Sequence, residues 1–178
     1  MKKIGLLLIG MILWCGCGGD DNEELSDSYA QIRVVTGLDI VDDNGNPVGT
    51  WEKPNHNPGP LRLYPIPAGN QLFVSSQTII TDIWIVPASC EKDTTDRNIK
   101  LLSLDLEYDI NEVEMNEISS LEIDNFNNQV ALNLEGSSKG FYKLFARTTN
   151  NDLFWQNFYF DPDLIPLLDW TLLDDACN

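Results

Sequence analysis

The sequence is poor in the residues that most often carry catalysis or bind nucleic acid. Its 178 residues include one histidine, and only 11 lysines and arginines stand against 28 aspartates and glutamates. A formal net charge of −17 repels phosphate backbones and anionic lipid surfaces, so we expect no nucleic-acid partner. Nucleophilic catalysis of the triad type needs an oriented histidine, whereas His56 lies in the loop KPNHNPGP and no GxSxG motif is present. The sequence therefore predicts a solvent-exposed loop histidine and a chain that is not an enzyme.

Long apolar runs are also missing. Residues 4–14 form an apolar stretch that follows Lys2 and Lys3 and precedes small residues around Gly16. As a helix it would span only about 16 Å, roughly half the hydrocarbon core of a bilayer. We therefore predict a cleaved signal peptide over residues 1–16 and no membrane-spanning helix. Because the signal holds two lysines and no acid, its removal changes the net charge from −17 to −19.

Cysteine is scarce, with four residues at Cys15, Cys17, Cys90 and Cys177. The first two form a CxC pair, but a zinc site needs about four ligands at suitable spacing, and His56 is the only histidine. We therefore expect no metal site and no cofactor.

The turn sequence DDNGNP at residues 42–47 has two interpretations. Oxygen-bearing side chains at alternate positions could form a calcium loop, but the twelfth position would be Lys53 instead of an acid. Asn-Gly flanked by apolar runs is a strong hairpin signal. A hairpin turn is favoured, and calcium binding stays open.

The LWCGCGGDDNEE segment resembles a bacterial lipoprotein precursor, in which a small residue precedes the cysteine that becomes lipid-modified. Gly16 before Cys17 fits that pattern, whereas Trp14 before Cys15 does not. The acids after Cys17 resemble the surface-export signal of lipoproteins from the Bacteroidetes group. The resemblance implies lipid attachment at Cys17, an acidic flexible tether over residues 17–28, and an outer-membrane location. Display on the outer surface is expected, with periplasmic display left open.

Cys90 and Cys177 then form an even pair in an oxidising compartment, where disulfides persist. We expect a disulfide between them. The alternative is two free thiols that lie far apart, because spacing in sequence does not fix distance.

From Tyr29 onward, the apolar pattern mostly has a period of two and is broken by turn residues every 8 to 12 positions. The near-continuous run TIITDIWIV predicts a central strand, Leu102 to Ile110 alternate as in a strand, and TNND predicts a hairpin turn between GFYKLFART and LFWQNFYF. We therefore predict an all-β domain over residues 29–178. Its expected architecture is a single antiparallel, immunoglobulin-like β-sandwich with a short irregular or helical C-terminal tail.

Two segments resemble the β-sandwich sorting domain of type IX secretion cargo. LRLYPIPAGNQLFVSSQTIITDIWIV is similar to the beginning of that domain, and VALNLEGSSKGFYKLFARTTNNDLFWQNFYF to its end. Ile66 replaces the usual asparagine, and the element lies in the middle of the chain. The resemblance implies a β-sandwich.

The expected function is a non-catalytic binding or accessory module of the outer membrane, with a glycan or protein ligand. Trp51, beside the proline-rich loop, is the candidate ligand contact; the alternative is a tryptophan that caps the end of the sandwich. A structural component of an envelope complex, docking by strand edges, and a small hydrolase are the alternative functions. Oligomeric state stays open.

Overall fold

The computed structural model describes residues 32–92, 108–123, 128–163 and 171–177. The predicted signal peptide, the tether and Cys17 lie outside these ranges. Strands make up 52% of the described residues and helices 12%, so the chain is mostly β, with several antiparallel sheets. None of the helices in the described ranges is long and apolar enough to span a bilayer.

Ten strands and two helices follow one another along the described chain. The strands are β1 Val34–Val35, β2 Gly37–Val41, β3 Pro47–Glu52, β4 Leu61–Tyr64, β5 Gln71–Ser76, β6 Ile80–Cys90, β7 Ser119–Glu122, β8 Gln129–Asn133, β9 Gly140–Thr148 and β10 Leu153–Phe160. The helices are α1 Ile110–Asn116 and α2 Thr171–Ala176.

The strands form three sheets around the long strand β6. One sheet has the order β1-β6-β9-β10, and β7 pairs with the same strand β6. The strand β1 is parallel to β6, whereas β7, β9 and β10 join antiparallel pairs. Hairpin β2-β3 and the three-stranded sheet β4-β5-β8 are the other two. The central strand predicted from TIITDIWIV is confirmed, because β6 has strand neighbours on both edges.

Both faces of the five-stranded sheet are covered, which explains why β9 and β10 are buried along most of their length. Ile83 and Ile85 of β6 face a main core shared with the other two sheets, whereas Trp84 and Val86 face a second cluster that includes Val113 of α1. The main core contains, among others, Leu38, Ile40, Leu63, Leu72, Val74, Leu132, Leu144, Phe158 and Phe160.

The hairpin predicted at DDNGNP is confirmed by the pairing of β2 with β3. The Asp42 carboxylate accepts hydrogen bonds from the backbone N–H groups of Asn44 and Asn46 and from the Asn46 side-chain amide. These bonds hold the pKa of Asp42 below its usual range, the largest contribution coming from Asn46. Gly45 adopts φ +80°, a conformation that glycine takes without strain. The hydrogen bonds within the turn thus occupy the Asp42 carboxylate, which a calcium loop would need as a ligand.

The strand prediction over Leu102 to Ile110 is wrong at its C-terminal end. Residues 102–107 of the predicted strand lie outside the described ranges. Ile110 begins helix α1 instead. Asp109 is the N-cap, and its side chain accepts a hydrogen bond from the backbone N–H of Asn111 at 2.8 Å. The cap starts a helix where alternation alone suggested continued strand.

The C-terminal tail, predicted to be irregular or helical, contains the short helix α2. Cys177, just after it, forms a disulfide with Cys90 at the end of β6, which confirms the predicted pairing. The bond joins residues 87 positions apart. In the chain-entropy account, closing a loop of that size stabilises the fold by about 4 kcal/mol.

Candidate functional site

Trp51 lies where β3, the tail helix and the end of β6 meet. Its ring stacks on Phe141 with centroids 5.7 Å apart, and its Nε1 donates a hydrogen bond to Asp174 Oδ1 at 3.2 Å. Lys92 Nζ lies 2.9 Å from the same carboxylate oxygen, and these hydrogen bonds, first that of Lys92, lower the pKa of Asp174. Trp51 is 5% exposed, so little of the indole face is open to a ligand in this conformation. Its predicted ligand contact stays a prediction.

His56 was expected to be a solvent-exposed loop residue, but its side chain is only 11% exposed. Its Nε2 lies 3.2 Å from Asp39 Oδ2 on β2, and this hydrogen bond is the main reason that the pKa of Asp39 is lowered. The other ring nitrogen, Nδ1, is buried and has no hydrogen-bond partner among the described residues. Because that nitrogen does not reach solvent, it is not presented to a substrate. The pair instead ties the loop to the hairpin β2-β3.

Between β9, β10 and the N-terminal strands lies a buried polar cluster built from Asn55, Asn157 and Thr36. Asn157 Nδ2 donates hydrogen bonds to Asn55 Oδ1 at 2.9 Å and to the backbone oxygen of Gly37 at 3.0 Å. Asn55 Oδ1 also accepts from the backbone N–H of Thr36, and Asn55 Nδ2 donates to the backbone oxygen of Val34. All three side chains are buried, so the cluster fixes the loop against β10.

Lys143, opposite Asn157 in the β9-β10 register, is fully buried. Its Nζ donates a hydrogen bond to the Tyr108 hydroxyl at 2.9 Å. Burial lowers the pKa of Lys143 to about 7 and raises the pKa of Tyr108 above its usual range. The sequence pattern did not reveal this lysine, because nothing near it in sequence indicates that its face of β9 is covered. Tyr108 and α1 cover Lys143, and because they are distant in sequence, no local pattern predicts this contact.

A further feature is the strand β7, whose four residues are all exposed. Five large hydrophobic residues of the described chain are exposed, and three of them fall within residues 115–121: Met115 at 64%, Ile118 at 54% and Leu121 at 42%. Within the described ranges, β7 pairs with β6 alone. We call Ser119–Glu122, with its outward-facing backbone, the β7 edge.

Backbone geometry defines what the β7 edge presents. Ile123 N donates to the backbone oxygen of Thr81 at 2.8 Å, so residues 119, 121 and 123 direct their backbone groups towards β6. The N–H and C=O groups of Ser120 and Glu122 consequently point away from the sheet. Such groups are a template for another strand.

Side chains on the β7 edge divide between the two faces of the sheet. Leu121 is opposite Ile83, which faces the main core, so Leu121 extends the apolar face. Ser120 and Glu122 are opposite Trp84 and Asp82 and lie on the other face. One side of the edge therefore carries Leu121 beside Ser119, which is opposite Ile85, and the other side is polar and acidic.

The segment around the β7 edge is uniformly acidic. Residues 108–123 contain Asp109, Glu112, Glu114, Glu117 and Glu122 and neither lysine nor arginine. Cations from other parts of the chain contact this segment: Arg33 Nε donates a hydrogen bond to Asn116 Oδ1 at 2.9 Å, and Lys143 Nζ donates to the Tyr108 hydroxyl. On the same side of the sheet as Glu122, Arg147 Nε lies 2.9 Å from Asp82 Oδ2, and its guanidinium carbon lies 5.3 Å from the centroid of the Trp84 ring. Hydrogen bonding with Asp82 is the main cause of the raised pKa of Arg147. The arginine is thus paired with Asp82, and the charges of Glu114 and Glu122 also raise its pKa.

The described residues contain no group of three or more histidine, cysteine or acidic side chains placed to hold a metal ion. No protein family, curated protein or solved structure matches this chain. The candidate sites therefore rest on the geometry of this molecule.

Proposed function

We propose that this chain is a lipid-anchored, non-catalytic binding module of the outer membrane, exposed at the cell surface. The anchor is the lipid on Cys17, and the acidic tether over residues 17–28 holds the folded domain away from the bilayer. The cysteine motif supports the anchor. Two or three acyl chains, at about 0.8 kcal/mol for each buried methylene, hold a protein on a membrane durably.

The domain is an immunoglobulin-like β-sandwich in this proposal. The order β6-β9-β10 corresponds to the C-F-G order of such domains, and β4-β5-β8 corresponds to A-B-E. The Tyr142 hydroxyl, near the start of β9, donates a hydrogen bond to the backbone oxygen of Ser138, four residues earlier. That contact has the form of the tyrosine corner found at the start of strand F. The hairpin β2-β3 precedes the sandwich as an addition.

The observation that carries the binding role is the β7 edge. Its outward backbone groups have no strand partner within the described ranges, and apolar side chains flank it. Such an exposed edge is a liability unless a partner uses it. The β7 edge favours a protein ligand. A glycan ligand would need an exposed face of Trp51, but that side chain is buried by its contacts with Phe141 and Asp174. The alternative role, as a structural component of an envelope complex, uses the same edge.

The anchor is tested by replacing each of the first two cysteines in turn. Cys17→Ala should abolish palmitate labelling and release the protein from membranes, whereas Cys15→Ala should leave both intact. Digestion of intact cells by an added protease then tests outward display. Labelling that survives Cys17→Ala and disappears with Cys15→Ala would move the anchor to Cys15 and refute the assignment.

A further inference from the structure

We infer that the β7 edge binds an extended segment of a partner protein in which apolar and basic side chains alternate, added to the sheet as a further strand. This inference rests on the proposed role as a binding module and specifies the class of partner.

The backbone supplies the first step of the argument. Ser120 and Glu122 direct one N–H and one C=O group each away from β6, and both residues are exposed. A strand laid beside β7 would satisfy these groups, as in other cases of recognition by strand addition. Because main-chain bonds do not read sequence, specificity must come from side chains.

The side chains of β7 supply the second step. An added strand also alternates between the two faces of the sheet, with a period of two. Its residues on the Leu121 face would contact a partly exposed leucine beside the main core, which favours apolar side chains. Its residues on the other face would lie beside Glu122, which favours lysine or arginine. Opposite charges on neighbouring strands are favourable and like charges are not.

Charge also decides between a foreign partner and a second copy of this chain. The chain carries a net charge of −17, and residues 108–123 contribute five acids without a base. Two copies docked through their β7 edges would bring these acidic segments together, which is unfavourable. A basic segment gains from the same field, which also speeds its encounter with the edge. The occupant is therefore a different, basic chain.

The test uses the full chain, purified in a neutral detergent, and a capped peptide of about eight residues that alternates valine and lysine. Two control peptides keep the length. One has the same composition arranged as a valine block followed by a lysine block, and the other alternates valine and glutamate. Fluorescence anisotropy measures the binding of each.

We expect the alternating valine-lysine peptide to bind at least about tenfold more tightly than either control peptide. Ser120→Pro removes one outward N–H, and Leu121→Lys replaces the apolar contact with a like charge. Each should weaken binding at least about tenfold. Val48→Lys is the matched control, since Val48 is an exposed hydrophobic residue of β3 at 50% exposure, and it should bind as the unsubstituted chain does.

Three outcomes would overturn the inference. The block peptide could bind as tightly as the alternating valine-lysine peptide, which would show that binding depends on net charge alone. Leu121→Lys and Val48→Lys could weaken binding equally. The chain could form a dimer that Ser120→Pro abolishes, which would identify the occupant as a second copy. Each of these leaves the membrane anchor untouched, because Cys17→Ala tests the anchor separately.

Discussion

The two edges of the five-stranded sheet differ in what covers their backbone groups. Along β10, Asn57 and Trp155 exchange two backbone hydrogen bonds, and the Ala68 N–H donates to the backbone oxygen of Tyr159 at 2.7 Å. Two loop segments thus close that edge. On the opposite side of β6, the described chain ends the sheet with β1 and β7, and the four residues of β7 are exposed.

The difference separates what the fold requires from what it leaves available. The β10 edge lies among buried residues, including the cluster of Asn55 and Asn157, so its groups must be satisfied within the chain. The β7 edge lies at the surface, where water can satisfy it until a partner arrives. Substitutions at the β10 edge should therefore change stability, whereas substitutions at the β7 edge should change binding.

The largest effect is expected from proline at the closed edge. Ala68→Pro removes a buried backbone donor and adds atoms where the side chain is fully buried, and it should lower the free energy of unfolding by about 4 kcal/mol. Ser120→Pro, at the open edge, should change it by less than about 0.5 kcal/mol. Urea denaturation measures both. Equal losses would contradict the distinction between the edges.

Asn55→Ala should have the next largest effect. It removes the hydrogen-bond partners of Thr36 N, Val34 O and Asn157 Nδ2, all in the interior, at about 1 kcal/mol or more each. A loss of about 3 kcal/mol is expected in thermal or urea unfolding. Asn128→Ala, at an exposed position, is the control and should be neutral. A loss below about 1 kcal/mol would show that the cluster does not hold the loop on β10.

Because the amine of Lys143 is buried, we expect the stability of the fold to depend on pH. Its pKa is about 7 in the folded chain and about 10.4 when unfolded, so the unfolded chain binds more protons between these values. The free energy of unfolding should consequently rise by about 2 kcal/mol from pH 7 to pH 9. Lys143→Met should remove that rise, whereas Lys53→Met, at an exposed position, should retain it. If the free energy of unfolding of Lys143→Met rose from pH 7 to pH 9 as much as that of the unsubstituted chain, the burial of an uncharged amine would be contradicted.

The smallest effect on stability is expected from Leu121→Lys. Its side chain is 42% exposed on the open edge, so the free energy of unfolding should change by less than about 0.5 kcal/mol. A loss above about 1 kcal/mol, measured by the same urea titration, would place Leu121 in the fold instead of in a binding surface.

Local patterns predicted the parts of this molecule that depend on neighbours in sequence. The apolar run that became β6, the turn at DDNGNP and the hairpin β9-β10 each carried its own signal. The Cys90–Cys177 disulfide followed from counting cysteines, once Cys15 was assigned to the predicted signal peptide and Cys17 to lipid attachment.

Features that depend on distant packing were not predicted. Lys143 is buried because Tyr108 and α1, which are distant in sequence, cover its face of β9. Trp51 is buried where its ring stacks on Phe141 and its Nε1 donates to Asp174, and both partners are distant in sequence. The short sequence SSLE gave no sign that its strand would lie at an edge, since position within a sheet is a property of the whole topology.

Amide hydrogen exchange on the full chain, with and without the alternating valine-lysine peptide, tests the central claim most directly. Addition of the peptide should slow exchange at Ser120 and Glu122 by at least about tenfold, while the amides of β10 keep their rates. Protection that appears elsewhere and leaves Ser120 and Glu122 unchanged would contradict the assignment of the β7 edge as the docking surface.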